Sequence, residues 1–318
     1  DFKKLEDPYY AFIKCDVAGK GVPAALIMVG VATIFSTEFA NWSYKKHGIN
    51  LVNVTYKINE YIESKGFKGR FAAFIMGIYD SARGLLHLCH AGDRLVHFYK
   101  WRQKSFITQE LPSSPTAGTF DNASVAATAP FQVISLPVEP GDVLLLYTDG
   151  FEESSRVRRK LDYSPVTELI KDPRSGQEHE EYLKEQFGEE RIKAVTEAIY
   201  NRSQYILKRE DDPEGPGTQY TFDFSSCDGS LHDLVIGLSA VEKVFRMVQD
   251  PAATDTDTVV VDSLIDDFLG KHFKEYSKYF WDKRPHPDSH ITEYRIYGHM
   301  KEDEQYDDLT MLTIQRNK

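Results

Sequence analysis

The first half of the chain alternates short apolar runs with polar turns, which is the pattern of strands. The runs begin with YYAFIKCDV at residues 9–17 and continue through RFAAFIMGIYD, GLLHLCHAG, RLVHFYK and VLLLY. Turns such as residues 80–84 separate them. Closely spaced strands with tight turns favour antiparallel pairing over crossover connections. The pattern therefore predicts antiparallel sheets.

Apolar residues at helical spacing predict helices between and after these strands. Pro23 follows a glycine turn and suits a first helical position, so we expect a buried helix over about 22–35. Ser239 and Glu242 have the spacing of a capping box and predict the start of a later helix. The other helical patterns lie at 51–64, 192–206 and 257–280.

The chain ends in a further strand pattern, LTMLTIQ, which is entered through Asp307 and Asp308. Strands first, helices interrupting and a strand returning to the sheet predict a mixed α+β layered domain. The returning strand disfavours two independent domains, so we expect a single domain over residues 1–318.

Composition narrows the class of protein. The chain has 318 residues, 41% hydrophobic and 27% charged, as ordinary globular proteins have, and its net charge of −11 provides no basic field for nucleic acid. The longest apolar run is shorter than the roughly 20 residues of a membrane span. Three widely spaced cysteines without a CxxC pair predict free thiols in a reducing compartment. The opening DFKKLEDPYY has no leader pattern, and we expect a piece of a longer protein.

Three acids stand where a strand pattern meets a sharp turn: Asp16, Asp149 and Asp307. A carboxylate at a strand end is held on rigid backbone yet faces solvent, as a metal ligand requires. Each acid also has a structural interpretation, as a partner of loop N–H groups, an Asp-Gly turn or an exposed edge. Their occurrence together in one chain favours the functional interpretation.

The GKG stretch is not a nucleotide-binding motif. A P-loop requires Ser or Thr after its lysine, but Gly21 follows Lys20, and the dinucleotide fingerprint requires glycine where Ala24 stands. Hard oxygen ligands suit Mg²⁺ or Mn²⁺ rather than Zn²⁺, and the His286 and His290 pair lies among prolines that disfavour a zinc-binding helix. Two such cations sharing a carboxylate can activate water and neutralise a phosphoryl group.

Seven motifs in order carry a family resemblance. They are DVAGKGVPAALIM, GRFAAFIMGIYD, LCHAGD, PTAGTF, LPVEPGDVLLLYTDGFEES, FGEERI and YDDLTMLTI. In this order they resemble the metal-dependent protein phosphatase 2C (PPM) family, and more narrowly its bacterial SpoIIE/RsbU-type branch. The resemblance covers residues 1 to about 156, then 187–205 and the C-terminal strand.

The resemblance implies an αββα sandwich, in which two antiparallel sheets are flanked by helices and two Mn²⁺ or Mg²⁺ ions lie at one edge. Asp16 matches the acid that bridges both metals, and Val17 matches the residue whose backbone carbonyl is a ligand. Asp149 and Asp307 match the remaining ligands, and Asp308 is an adjacent candidate. No residue is assigned to substrate binding.

The implied function is that of a serine/threonine phosphatase. It would hydrolyse phosphoserine or phosphothreonine on a signalling protein, of the anti-sigma-factor antagonist type, by attack of a metal-bridging water. The expected partners are that phosphoprotein, an upstream sensor domain and a second copy in a homodimer, with no nucleic acid. The expected location is the cytoplasm, including as the cytoplasmic part of a membrane-attached protein. The alternative is a catalytically weak phosphatase-like regulatory or binding module.

Three departures from the family pattern bear on this choice. A GGD stretch usually lies ahead of the position where this chain begins, so we expect a domain without its extreme N-terminal strand and one acid. Asp93 stands where the family usually has histidine in AGH. The connection between Asp149 and Asp307 is longer than usual, which predicts insertions at about 157–186 and 208–260 that act as a lid or a docking surface.

Overall fold

The computed structural model describes residues 1–65, 69–173, 175–210, 220–249, 260–276, 282–284, 294–296, 300–303 and 309–317. The helices are α1 (Val22–Glu38), α2 (Tyr44–His47), α3 (Leu51–Ser64), α4 (Asn122–Thr128), α5 (Asp149–Glu152), α6 (Gly188–Asn201), α7 (Leu231–Arg246) and α8 (Ser263–His272).

The strands of the first half are β1 (Phe2–Lys4), β2 (Tyr9–Val17), β3 (Ala72–Asp80), β4 (Leu85–Ala91), β5 (Leu95–Lys100), β6 (Ser105–Glu110), β7 (Ile134–Pro137) and β8 (Val143–Tyr147). The next strands are β9 (Ser155–Val157), β10 (Thr167–Lys171), β11 (Glu178–Tyr182), β12 (Lys184–Gln186), β13 (Gln204–Leu207), β14 (Tyr220–Asp223) and β15 (Met247–Gln249). The last strands are β16 (Val260–Val261), β17 (Asp282–Arg284), β18 (Tyr294–Ile296), β19 (Met300–Glu302) and β20 (Met311–Gln315).

The chain divides into two compact units, Asp1–Tyr147 with Leu312–Lys318, and Thr148–Met311. The first unit contains a five-stranded sheet in the order β1-β2-β3-β4-β7, and β5, β6 and β8 lie in a four-stranded sheet of order β20-β8-β5-β6. Strands β1 to β4 pair antiparallel with their neighbours, as β5 does with β6 and β8. The predicted α+β class with antiparallel sheets and helices is confirmed, whereas the single domain over residues 1–318 stays a prediction.

Alternation along β2 separates two apolar cores in the first unit. One core includes Ala11, Ile13 and Val17 and lies between the five-stranded sheet and helices α1 and α3. The other includes Phe12 from the opposite face of β2, together with residues of β5 and β8, and lies between the two sheets. The first unit therefore has three layers: helices, the five-stranded sheet and the four-stranded sheet.

Helix α1 is buried on one face only. Ile27, Val31 and Phe35 are buried against the sheet at the spacing of one helix face. Val22 and Val29 lie on the other side and are 73% and 63% exposed. The buried helix that the sequence predicts is therefore buried on one face only, because a run that is apolar all round does not show which face packs.

Several helix ends differ from those that the pattern predicts. The proposed capping box does not open a helix, because the N-cap of α7 is Ser230, nine residues before Ser239, and the Ser230 hydroxyl accepts a hydrogen bond from the Asp233 N–H at 3.1 Å. Ser239 lies inside α7 and donates to the Val235 carbonyl at 2.9 Å. The helix predicted at 192–206 ends at Asn201, since the next residue adopts φ 54°.

The last predicted helix, 257–280, is shorter in the structure. Asp262 caps α8 by accepting a hydrogen bond from the Leu264 N–H at 2.8 Å, and the helix ends at His272. Residues 257–259 and 277–280 lie outside the described residues. No helix in the described ranges is long and apolar enough to cross a membrane.

The two stretches predicted as insertions differ in packing. The stretch 157–186 contains the β10–β11 hairpin, whose strand residues are all exposed except Ile170. The described part of 208–260 contains α7, which packs between α6 and α8 and buries Leu234, Leu238 and Val241. Helix α7 is thus part of the core of the second unit.

Candidate active site

Asp16 and Val17 are the last two residues of β2, and their strand pairing fixes their positions. Asp16 lies opposite Ala73 on β3, is half-buried, and shares the face of β2 that carries Phe12. Val17 is buried on the other face, in the core beneath α1. The carboxylate of Asp16 therefore stands at the edge of the layer between the two sheets.

A glycine turn follows this strand end and brings Arg70 beside it. Gly19 has φ +95°, and a Cβ at this position would lie 1.8 Å from Nη1 of Arg70. The same guanidinium donates to the Ala18 carbonyl at 3.1 Å. Sequence reasoning missed Arg70, although it lies in the GRFAAF motif, because only the fold places its guanidinium against Gly19 and the Ala18 carbonyl.

Lys14 and Asp93 form an ion pair near the same strand end. The Lys14 ammonium lies 2.7 Å from Oδ2 of Asp93 and donates to the Tyr147 carbonyl at 2.8 Å. The two side chains are only 13% and 15% exposed. This pair gives a physical role to Asp93, for which the family pattern predicts histidine.

Cys15, between Lys14 and Asp16, is not a nucleophile at neutral pH. Burial and the nearby charges of Asp16 and Asp93 raise the pKa of its thiol to about 12. The thiol is therefore protonated, and its side chain packs against the core beneath α1. All three cysteines are free thiols, as the sequence predicts.

Asp149 is the first residue of α5, in the second unit, and its side chain is exposed. The preceding Thr148 is tied to the C-terminal segment, because its N–H donates to the Thr310 carbonyl at 3.0 Å. In return the Thr310 N–H donates to the Thr148 hydroxyl at 3.2 Å. The chain entering Asp149 thus lies beside Thr310, the last residue of the DDLT motif.

A raised pKa accompanies this cluster of acids. Burial, followed by the charges of Glu189, Glu153 and Asp149, raises the pKa of the Glu152 carboxyl. Part of this rise in pKa therefore comes from neighbouring carboxylates, and Asp149 is one of them.

The described residues contain part of the predicted ligand set. Asp16 and Val17 belong to the first unit and Asp149 to the second, whereas Asp307 and Asp308 lie outside the described residues. Where the structure is described, no group of three or more His, Cys, Asp or Glu side chains is arranged to hold a metal ion. The donors that are described, carboxylate oxygens and a strand-end carbonyl, fit a hard divalent cation.

Comparison with known proteins identifies the family. The sequence model described as Stage II sporulation protein E (SpoIIE) matches residues 6–212. The chain belongs to the SpoIIE family. The matched range contains Asp16, Val17 and Asp149. It ends at residue 212, inside the predicted insertion at 208–260. The resemblance that the ordered motifs predict is confirmed.

Curated relatives of this SpoIIE-family chain include a phosphatase. Protein IcfG of Synechocystis sp. is 28% identical over 172 residues, which cover 47% of this chain and 26% of that protein. The phosphoserine phosphatase RsbU of Bacillus subtilis is 22% identical over 179 residues, which cover 54% of this chain and 50% of that protein. The chain therefore spans half or less of the length of these relatives.

Among solved structures, the RsbU and RsbW domains of a Mycobacterium tuberculosis protein are similar to this chain, with a TM-score of 0.43 and 20% identity. The alignment covers 63% of this chain and 45% of that one.

Proposed function

We propose that this SpoIIE-family domain is a metal-dependent serine/threonine protein phosphatase. The observation that carries the proposal is the position of Asp16, a half-buried carboxylate at the end of β2, directly before a glycine turn with φ +95° at Gly19. Membership of a metal-dependent phosphatase family and the phosphoserine phosphatase among its relatives support it.

In this proposal the chain's own oxygens hold two Mg²⁺ or Mn²⁺ ions. Asp16 contributes its carboxylate and Val17 its backbone carbonyl, while Asp149 and Asp307, with Asp308 adjacent, contribute the other carboxylates. Bound there, the ions supply an activated water at neutral pH and neutralise charge on the phosphoryl group. The pairing of β2 with β3 fixes the backbone at Asp16, and a ligand carried on a rigid strand binds a cation with less reorganisation.

The proposed substrate is a phosphorylated signalling protein of the anti-sigma-factor antagonist type. The proposal also includes an upstream sensor domain, a homodimer and a cytoplasmic location. The three free thiols support the cytoplasmic location, because thiols stay reduced in that compartment.

The first test is hydrolysis of an aryl phosphate with and without Mn²⁺ by the wild type, Asp16→Ala and Asp149→Asn. We expect turnover that requires Mn²⁺ and falls to background in both variants, because each removes a cation-holding carboxylate. Asp162→Asn is the matched control, since Asp162 is an exposed acid of the second unit away from the motifs. It should retain wild-type turnover.

Full activity in Asp149→Asn would remove that residue from the site. Absence of turnover at every Mn²⁺ concentration in the wild type would favour the alternative, a phosphatase-like binding module. In that case the chain should bind a phosphoserine peptide without hydrolysing it, which calorimetry would measure.

A further inference from the structure

Lys14 occupies a position on β2 where alternation calls for an apolar side chain. It lies on the face of β2 that carries Phe12, and its strand partner across β3 is Ile75, which belongs to the core between the sheets. A lysine is rarely held in such a layer unless its charge is paired. Asp93 supplies that pairing, with Nζ and Oδ2 2.7 Å apart.

The ammonium of Lys14 joins three segments of the first unit. It extends from β2 of one sheet, pairs with Asp93 on the β4–β5 connection, and donates at 2.8 Å to the carbonyl of Tyr147, the last residue of β8. The first segment carries Asp16 two residues later, and the chain leaving β8 reaches Asp149 two residues after Tyr147.

Close packing fixes the turn that carries Asp93, the partner of Lys14. Gly92, which precedes Asp93, has φ +77° and approaches Thr116 so closely that a Cβ would lie 2.3 Å from its methyl group. Gly92 also forms a bridge to Phe74 of β3, so the turn that presents Asp93 is fixed to the five-stranded sheet. A fixed carboxylate needs little rearrangement to hold the ammonium.

We propose that Lys14 is a positioning residue of the phosphatase site: with Asp93 and the Tyr147 carbonyl, it holds the strand end that carries Asp16 against the end of β8. The inference rests on the proposed function. Lys14 contacts neither substrate nor cation in this role, and it acts through the backbone positions of its two neighbouring strand ends.

The sign of the effect separates this role from a simple electrostatic one. Lys14 and Asp16 lie on one face of a strand, two residues and therefore about 7 Å apart. Removing a positive charge at that distance should tighten binding of a divalent cation by Coulomb's law alone. Removing a brace should weaken binding instead, because the carboxylate of Asp16 loses its fixed orientation.

The test is calorimetric titration of the metal-free protein with Mn²⁺, which does not depend on turnover. We expect Lys14→Met to bind Mn²⁺ about tenfold more weakly, the scale on which outer-sphere groups affect metal affinity. Lys14→Met combined with Asp93→Asn leaves the net charge unchanged and should also bind more weakly. Lys14→Arg keeps a donor for both acceptors and should recover most of the affinity.

Lys100→Met is the matched control. Lys100 pairs with Asp142 at the other end of β8, and the two side chains are 15% and 1% exposed. Breaking this pair should lower thermal stability without changing Mn²⁺ affinity. Circular dichroism of each variant checks that it is folded. Asp93→Asn removes the ion pair but retains the hydrogen bond of Lys14 to the Tyr147 carbonyl, so its effect on Mn²⁺ binding should be smaller than that of Lys14→Met.

Unchanged or tighter Mn²⁺ binding by folded Lys14→Met would overturn the inference and leave the proposed function standing. If the wild type neither binds Mn²⁺ nor hydrolyses an aryl phosphate, the proposed function fails and the positioning role fails with it. Weaker binding in the Lys100 control, equal to that of Lys14→Met, would assign the effect to general destabilisation and would also overturn the inference.

Discussion

At the scale of single residues, the contacts on either side of Asp16 involve residues that are distant in the sequence. On one side, Lys14 pairs with Asp93 and donates a hydrogen bond to the Tyr147 carbonyl in the other sheet. On the other side, Gly19 leaves room for Arg70 to donate to the Ala18 carbonyl. The identity of Gly19 can be explained from the turn, since φ +95° favours glycine. The pairing of Lys14 with Asp93 cannot be read from the motifs, because 78 residues separate the two in the sequence.

We expect Gly19→Ala to lower both stability and phosphatase turnover. The left-handed backbone costs about 1–3 kcal/mol for a residue with a Cβ. The new methyl group would also displace the Arg70 guanidinium. Urea unfolding and aryl phosphate hydrolysis measure the two effects.

Gly48→Ala is the control, because Gly48 has φ +58° but nothing within 4 Å of a new Cβ. It should lose stability and keep turnover. Equal losses of turnover in both variants would contradict the prediction.

At the scale of elements, local patterns predict interiors better than ends. The bounds of β2, α3 and β8 agree with the patterns at 9–17, 51–64 and 143–147, because each is an apolar stretch with a clear break at both sides. Helix α7 does not, because its first turn begins with LHD, whose polar residues hide the periodicity, and a second Ser-to-Glu spacing inside the helix imitates a cap.

The start of α7 can be tested with two serines. Ser230→Ala should destabilise the protein by about 1 kcal/mol, because it removes the side chain that caps the Asp233 N–H. Ser239→Ala should be neutral or slightly stabilising, since alanine is the better residue inside a helix and Ser239 only bonds back to Val235. Thermal unfolding of the two variants gives the comparison. A larger loss of stability in Ser239→Ala than in Ser230→Ala would contradict the prediction and favour Ser239 as the helix cap.

At the scale of the whole molecule, an excess of acidic residues coexists with buried charged side chains that are paired with one another. The net charge is −11, yet the second unit buries charged side chains that are paired with one another. Arg156 is fully buried, with Nε 2.7 Å from the Glu185 carboxylate, which also contacts Arg191. Glu242 likewise pairs with Arg246 and accepts a hydrogen bond from Ser154.

Arg156→Met should therefore be strongly destabilising. Leaving a buried carboxylate with one partner fewer costs about 3 kcal/mol, at the low end for such pairs because Arg191 still contacts Glu185. The comparison is Arg94→Met, which breaks a pair with Glu110 whose side chains are 49% and 59% exposed. Exposed pairs of this kind contribute about 0–1 kcal/mol. Similar midpoints of urea unfolding for the two variants would contradict the prediction.

The sequence by itself determined the antiparallel strands of the first half, the α+β class and the SpoIIE family, because alternation, turn residues and ordered motifs are local properties. It also placed Asp16 at a strand end, since a nine-residue strand and its glycine turn are both visible in the chain. The tertiary structure alone decided which face of α1 is buried, where α6, α7 and α8 begin and end, and that Lys14 meets Asp93 and the end of β8. These features depend on partners far away in the sequence, whose free energy of contact is absent from any local pattern.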